Sequence, residues 1–132
     1  MNILRNIILL CLFANSANAY VYYVDSVNGV DFSSGRSSDL PWKSLKKVSQ
    51  SSFNPGDTIL LKRGDVWHET LKIPSSGASG NPIIFGVYGT GGEAIIYGEG
   101  ECSLSIQSKN YIKLERLCFT GGSVQVNQSN SI

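Results

Sequence analysis

A surplus of charge of either sign is the first thing this sequence lacks. Of its 132 residues, 11 are Lys or Arg and 10 are Asp or Glu. Arg5 belongs to the leader-like first 19 residues, so the remainder is neutral. A neutral chain has no electrostatic footprint for nucleic acid or an anionic membrane, and no basic excess suited to a polyanion. Histidine is almost missing: His68 is alone, which excludes a His-rich metal site, and no Ser/His/Asp order or Cys/His pair emerges. Long apolar runs are missing too. The stretch Ile7 to Ala14 is far short of the roughly 20 residues that span a bilayer. What is abundant is Gly, 14 residues, with Ser and Asn, while charged residues make up only 16%. That composition suits one domain of short strands joined by many turns, not a helical bundle.

Residues 1–19 read as a signal peptide. Arg5 supplies the positive end, Ile7 to Ala14 the apolar stretch, and Ala17-Asn18-Ala19 a small-x-small cleavage site. The alternative is a buried first strand or helix. Cys11 does not suit lipid attachment, because Leu10 precedes it inside the apolar stretch. Cleavage makes Tyr20 the first mature residue and places the protein outside the cytoplasm, secreted or periplasmic, with no membrane segment left. Export permits a disulfide. Cys102 and Cys118 would close a 16-residue loop, which contributes about 3 kcal/mol on a chain-entropy argument. Two free thiols packed as small apolar groups are the other reading and are slightly favoured.

Along the chain, Tyr20 to Val24 is aromatic and β-branched and reads as a strand. Asp25 to Leu40 is a Ser/Gly/Asn/Asp loop. Pro41 then opens a predicted helix from Trp42 to about Gln50, with Asp39 as its amino-terminal cap. Trp42, Leu45 and Val48 form its apolar stripe, and Lys43, Lys46 and Lys47 a solvated face, read against the alternative of a binding patch. From Phe53 onward strands alternate with turns. Thr58–Lys62, an extended run Val66–Ile73, Ile83–Tyr88, Ala94–Tyr97, Ser103–Gln107, Tyr111–Phe119 and Ser123–Asn127 are the predicted strands. The rhythm admits an antiparallel sandwich or a solenoid of parallel sheets. Near-continuous apolar runs such as Ile59–Leu61 and Ile83–Phe85 favour the buried parallel case, and no Asn-Gly or Asp-Gly hairpin turn separates the later strands.

Three blocks carry a resemblance. The first is Tyr22-Tyr23-Val24-Asp25-Ser26-Val27-Asn28-Gly29, with Asp31, Gly35, Ser37 and Pro41-Trp42-Lys43-Ser44-Leu45. The second is Phe53-Asn54-Pro55-Gly56-Asp57-Thr58-Ile59-Leu60-Leu61-Lys62-Arg63-Gly64-Asp65-Val66-Trp67. The third is Pro74-Ser75-Ser76-Gly77, Gly80-Asn81-Pro82-Ile83 and Tyr88-Gly89. In this order they resemble the amino-terminal segment of exported right-handed parallel β-helix proteins, the pectin-lyase-like group that includes polysaccharide lyases. The resemblance implies an all-β fold: residues 20–52 form a lead-in strand, a loop and an amino-terminal cap helix, and residues 53–132 form the first few coils. The implied fold has many more coils, so the chain is expected to be truncated, with its last coil uncapped and free to self-associate.

Each candidate site has a plainer reading beside it. Asp25, Asn28 and Asp31 offer oxygen ligands for calcium, but their spacing does not match a calcium loop and they read as loop staples. Lys62, Arg63, Asp57, Asp65, His68 and Glu69 are the one dense ionisable cluster. A lyase needs a base and an anion stabiliser, and Lys62 and Arg63 are eligible. The resemblance, however, implies an active groove on later coils, and a turn in which Arg63 pairs with Asp57 or Asp65 is the preferred reading. Arg63-Gly64-Asp65 also spells an adhesion tripeptide, read as chance. Asn127-Gln128-Ser129 matches a glycosylation acceptor. Tyr22, Tyr23, Trp42, Trp67 and Tyr88 could stack on sugar rings but read as packing positions. The resulting expectation is an exported fragment of a polysaccharide-acting family with no catalytic residue, metal or cofactor of its own. The alternatives are a lyase or hydrolase of acidic polysaccharide working within a longer chain, a lyase first if it is an enzyme, and a carbohydrate-binding or adhesion module. Polysaccharide is the expected partner; nucleic acid and membrane are not.

Overall fold

The computed structural model of the protein describes residues 18–127. The leader reading of residues 1–17 and the turn from residue 128 onward, with most of the glycosylation acceptor, lie outside the described residues. Ten strands and one short helix follow in order. They are β1 (Val21–Val24), α1 (Leu45–Gln50), β2 (Thr58–Lys62), β3 (Val66–Trp67), β4 (Leu71–Lys72), β5 (Ile83–Tyr88), β6 (Ala94–Tyr97), β7 (Cys102–Gln107), β8 (Ile112–Leu114), β9 (Leu117–Thr120) and β10 (Ser123–Asn127).

The strands fall into three sheets of order β1-β2-β5-β8, β3-β6-β9 and β4-β7-β10. Every strand pairing is parallel. Each pass of the chain through β2-β3-β4, β5-β6-β7 and β8-β9-β10 therefore adds one strand to each sheet. The architecture is all-β and β-helix-like: stacked coils, not the antiparallel sandwich.

Stacking puts like residues above one another. Tyr22 pairs in register with Ile59, Ile59 with Phe85, and Phe85 with Leu114. Trp67 pairs with Ile96 and Ile96 with Phe119. Leu71 pairs with Leu104 and Leu104 with Val124. Ile59, Phe85, Trp67, Ile96, Leu71 and Leu104 are buried, so these ladders are the interior. Burying each such side chain contributes about 2 kcal/mol.

The front of the first coil is closed, but not quite by the helix the sequence suggests. Trp42 is extended, forming a parallel bridge with Val24, and its amide donates to the Tyr23 carbonyl at 2.9 Å. The helix starts later, at Leu45, and its cap is Ser44, not Asp39. Pairing with β1 holds the Pro41-Trp42 segment straight, so the helix can begin only beyond it. The apolar stripe survives this shift: Trp42, Leu45 and Val48 are all buried. The Trp42 indole stacks on Tyr22 at 5.0 Å between centroids. Phe53 meets Tyr22 edge-on at 5.1 Å and reaches Phe85 at 6.4 Å, joining cap to core.

Two further expectations need correction. The extended run Val66–Ile73 is two strands in different sheets, with a corner at His68 to Thr70. Tyr111–Phe119 likewise divides into β8 and β9, with Arg116 in the left-handed region at φ 58°. Each corner turns the chain from one sheet to the next.

Candidate functional site

The ionisable cluster read from the sequence does not assemble. Coil geometry sends its members to separate tasks. Asp57 is fully buried at the turn before β2, where it accepts from the Tyr20 and Asn54 amides, both at 2.8 Å. Asp65 accepts from the Ser26 amide at 2.9 Å. Arg63 pairs with neither of them; its Nε donates to the Gly92 carbonyl at 3.4 Å, because the turn after β2 stacks on the turn after β5. Lys62 reaches back to Asp25 at 2.9 Å. His68 leaves the group altogether and meets Glu99 at 2.8 Å.

Glu69 faces α1. Its two carboxylate oxygens accept from the Leu45 and Lys46 amides at 3.1 and 3.0 Å, while the Ser44 hydroxyl accepts from Lys47 at 3.0 Å. Three of the amides that a helix start leaves open are thus satisfied.

The loop carboxylates have separate partners as well. Burial pushes the Asp25 carboxyl upward. The Asn28 amide, the Lys62 ammonium and the Val27 amide outweigh that and hold it at about 2. For Asp31 burial also acts upward, but the Ser44 hydroxyl and the Ser44 and Lys43 amides bring it below the ordinary carboxylate range. Among the described residues no group of three or more His, Cys, Asp or Glu side chains gathers to hold a metal ion. Lys43 and Lys46 are exposed, and the Lys47 ammonium lies 5.5 Å from the Trp42 ring.

Of the aromatic candidates, Tyr22 and Trp42 belong to the cap. Trp67 is buried and its Nε1 donates to the Lys43 carbonyl at 3.0 Å. Tyr23 and Tyr88 remain on the outside, edge to face at 5.1 Å. Burial, then Asp25, Asp65 and Tyr23, push the Tyr88 hydroxyl up to about 12. Cys102 and Cys118 are half-buried free thiols. Cys102 donates to the Leu104 carbonyl at 2.8 Å, and burial and Glu93 raise Cys118 above the ordinary thiol range.

The best candidate surface is the outer face of the β1-β2-β5-β8 sheet. The inward ladder leaves Leu60 and Ile84 pointing out beside the bare backbone of Gly86, since side chains alternate along a strand. With Thr58, Glu115 and Arg116 they line a groove of about 550 Å³. Lys113 bonds Glu115 at 2.8 Å on its rim. An apolar floor edged by a hydroxyl, a carboxylate and cations can hold a polyhydroxylated chain. Glu115 is the single carboxylate lining it, whereas most glycosidases use two. Residue order alone does not reveal this groove, because its residues meet only through coil stacking.

This geometry defines a stacked-coil, parallel-sheet protein, and proteins of known kind share it. No protein-family model matches the chain. Over 82 residues it is 37% identical to the lacto-N-biosidase of Bifidobacterium longum subsp. longum, covering 59% of this chain and 5% of that protein. Over 125 residues it is 30% identical to the uncharacterized protein YwoF of Bacillus subtilis, covering 90% of this chain and 26% of that one. The crystal structure of the GH136 lacto-N-biosidase from Eubacterium ramulus superposes with a TM-score of 0.73 and 28% identity, over 80% of this chain and 21% of that chain. Its selenomethionine derivative gives 0.71 and 26%, over 88% and 23%. The chain thus spans about a quarter or less of the proteins it matches. The likeness is to carbohydrate-acting proteins of the glycoside hydrolase kind. Among the described residues no helix is long and apolar enough to cross a membrane.

Proposed function

We propose that this chain is the capped front of a right-handed, pectin-lyase-like β-helix in an exported carbohydrate-acting protein, building the scaffold without performing hydrolysis by itself. Right-handedness follows the general preference of parallel crossover connections. The leader reading of residues 1–19 supports export, and sequencing the mature amino terminus tests it, Tyr20 being the expected first residue.

The observation that carries the reading is where the carboxylates go. Asp25, Asp31, Asp57, Asp65 and Glu69 all accept backbone amides that fix the cap and first coil. They serve architecture, and the groove is left with Glu115 alone. The test is incubation of the purified chain with a chromogenic lacto-N-bioside and with an acidic polysaccharide. No release of chromophore or of unsaturated uronate is expected; release of either by this chain overturns the proposal.

A second reading, a carbohydrate-binding module, is favoured by the open groove itself. Retention on a polysaccharide gel without cleavage supports it.

A further inference from the structure

We propose that Tyr97, His68 and Glu99 form a subsite for one neutral pyranose ring on the outside of the β3-β6-β9 sheet; this rests on the carbohydrate reading above and adds a place and a sugar class to it. The three residues come from two coils. His68 follows β3, Tyr97 ends β6, and Glu99 stands in the turn after it. Only the stacking of the first two coils brings them together.

The aromatic ring is positioned, not loose. The His68 ring meets Tyr97 edge to face, 5.4 Å between centroids. On another side the ring lies against Gly121 of the third coil: a Cβ built there would stand 2.2 Å from Tyr97 Cε2 and 2.5 Å from Cδ2. Gly121 is therefore a requirement of the ring's position, in addition to its own left-handed φ of 69°. Held this way, Tyr97 is still 38% exposed. A fixed, partly open aromatic ring suits the C–H face of a sugar and gives up little conformational freedom on binding.

Polar groups stand beside it. His68 Nδ1 lies 2.8 Å from Glu99 Oε1, and both side chains are more than half exposed. Glu99 occupies the left-handed region at φ 52°, in a turn closed by the Glu101 amide donating to the Gly98 carbonyl at 2.8 Å and the Gly100 amide donating to the Gly121 carbonyl. With Nδ1 engaged by Glu99, His68 Nε2 is the imidazole atom free for a ligand hydroxyl, and Glu99 Oε2 is a second acceptor. A hydroxyl-rich neutral sugar satisfies this set. A uronate would bring its carboxylate to Glu99 and be repelled.

The experiment is titration of the isotope-labelled chain with a neutral galactose–N-acetylglucosamine disaccharide and, separately, with digalacturonate, followed by amide and side-chain NMR shifts. The neutral sugar is expected to move the signals of His68, Tyr97 and Gly121, and digalacturonate to leave them in place. Tyr97→Ala should weaken the neutral sugar about tenfold, a loss of roughly 1.4 kcal/mol. Tyr97→Phe should keep most of the affinity, and His68→Ala should lower it without unfolding the chain. Gly121→Ala, which displaces the ring, should act like Tyr97→Ala. Sugar shifts confined to the Leu60/Ile84 groove and indifferent to Tyr97 overturn this subsite while leaving the carbohydrate reading standing. Absence of any shift with the neutral sugar overturns it too, and product release in the hydrolysis assay bears on the earlier proposal alone.

Discussion

Glu69 of the first coil bonds both the Leu45 and Lys46 amides at the start of the cap helix. A six-residue helix is far too short to hold itself in water. Its first turn carries no acidic residue of its own, so the charge that complements the helix dipole comes from a corner 24 positions away. The cap and the first coil are in this way one cooperative unit.

Replacing Glu69 should therefore loosen the cap. Glu69→Ala leaves two amides without acceptors and removes the charge, for a cost of about 2 kcal/mol. Glu69→Gln keeps one acceptor oxygen and should lose about half of that. Thermal unfolding of the two variants measures it; equal melting temperatures for wild type and Glu69→Ala would show that the helix does not need this partner.

The loop staple sets a pH window. Asp25 has a folded-state pKa near 2, below the ordinary unfolded value of about 3.9. Between those values the unfolded chain binds more protons, so stability rises with pH there, is complete above the unfolded value and is lost as pH falls through the folded one. The contribution is about 2 kcal/mol. Tyr88, raised to about 12, acts at the other end: its contribution is full below the ordinary tyrosine pKa of about 10 and is lost as pH climbs through the folded value. Urea melts from acid to alkaline pH should show both slopes. Asp25→Asn should flatten the acid limb, and ultraviolet titration should find Tyr88, with the burial-raised Tyr22, ionising late.

Much of the fold was legible, for a definite reason. The boundaries of β2, β5 and β6 follow from apolar runs ended by Gly turns, β10 follows from alternation after Gly121-Gly122, and stacked coils keep that pattern local. The corner in Val66–Ile73 was not legible because Trp67, Leu71 and Ile73 all stay on one alternating face through it, so the inward pattern never breaks. The corner in Tyr111–Phe119 did leave a trace: Ile112 and Leu114 share one parity, Leu117 and Phe119 the other. The helix start was misplaced because Pro41 is a good opener in isolation, while pairing with Tyr23 and Val24 is a tertiary fact. The sites were hidden for the same reason. Lys62 with Asp25 and His68 with Tyr97 are neighbours only after a full turn of chain.

Gly35 offers a sharper test of the cap. It has φ +70°, and a Cβ there would stand 2.5 Å from Trp42 Cε2 and 2.7 Å from Nε1. The indole cannot easily give way, because Nε1 is bonded to the Ser33 carbonyl at 3.0 Å and the ring is stacked on Tyr22. Gly35→Ala should cost about 2 kcal/mol or more and shift tryptophan emission to the red. In a Trp67→Phe background the signal belongs to Trp42. Unchanged emission would place the indole elsewhere.

The stacked-coil arrangement itself can be tested at two adjacent residues of β5. Phe85 points inward, fully buried between Ile59 and Leu114, and receives the Phe53 ring of the cap on its edge. Ile84 points outward into the groove, between Thr58 and Lys113. Phe85→Ala removes the central rung of the ladder and leaves a cavity that coils above and below, fixed by their own backbone bonds, cannot collapse into; the expected loss is about 4 kcal/mol. Ile84→Ala gives up only half-exposed surface and should cost about 1 kcal/mol. A two-sided flat sheet would make the pair nearly equal, and a one-residue slip of register would reverse them. Urea unfolding of the two variants separates these cases, because only inward coils stacked in the observed register put nearly the whole cost on Phe85.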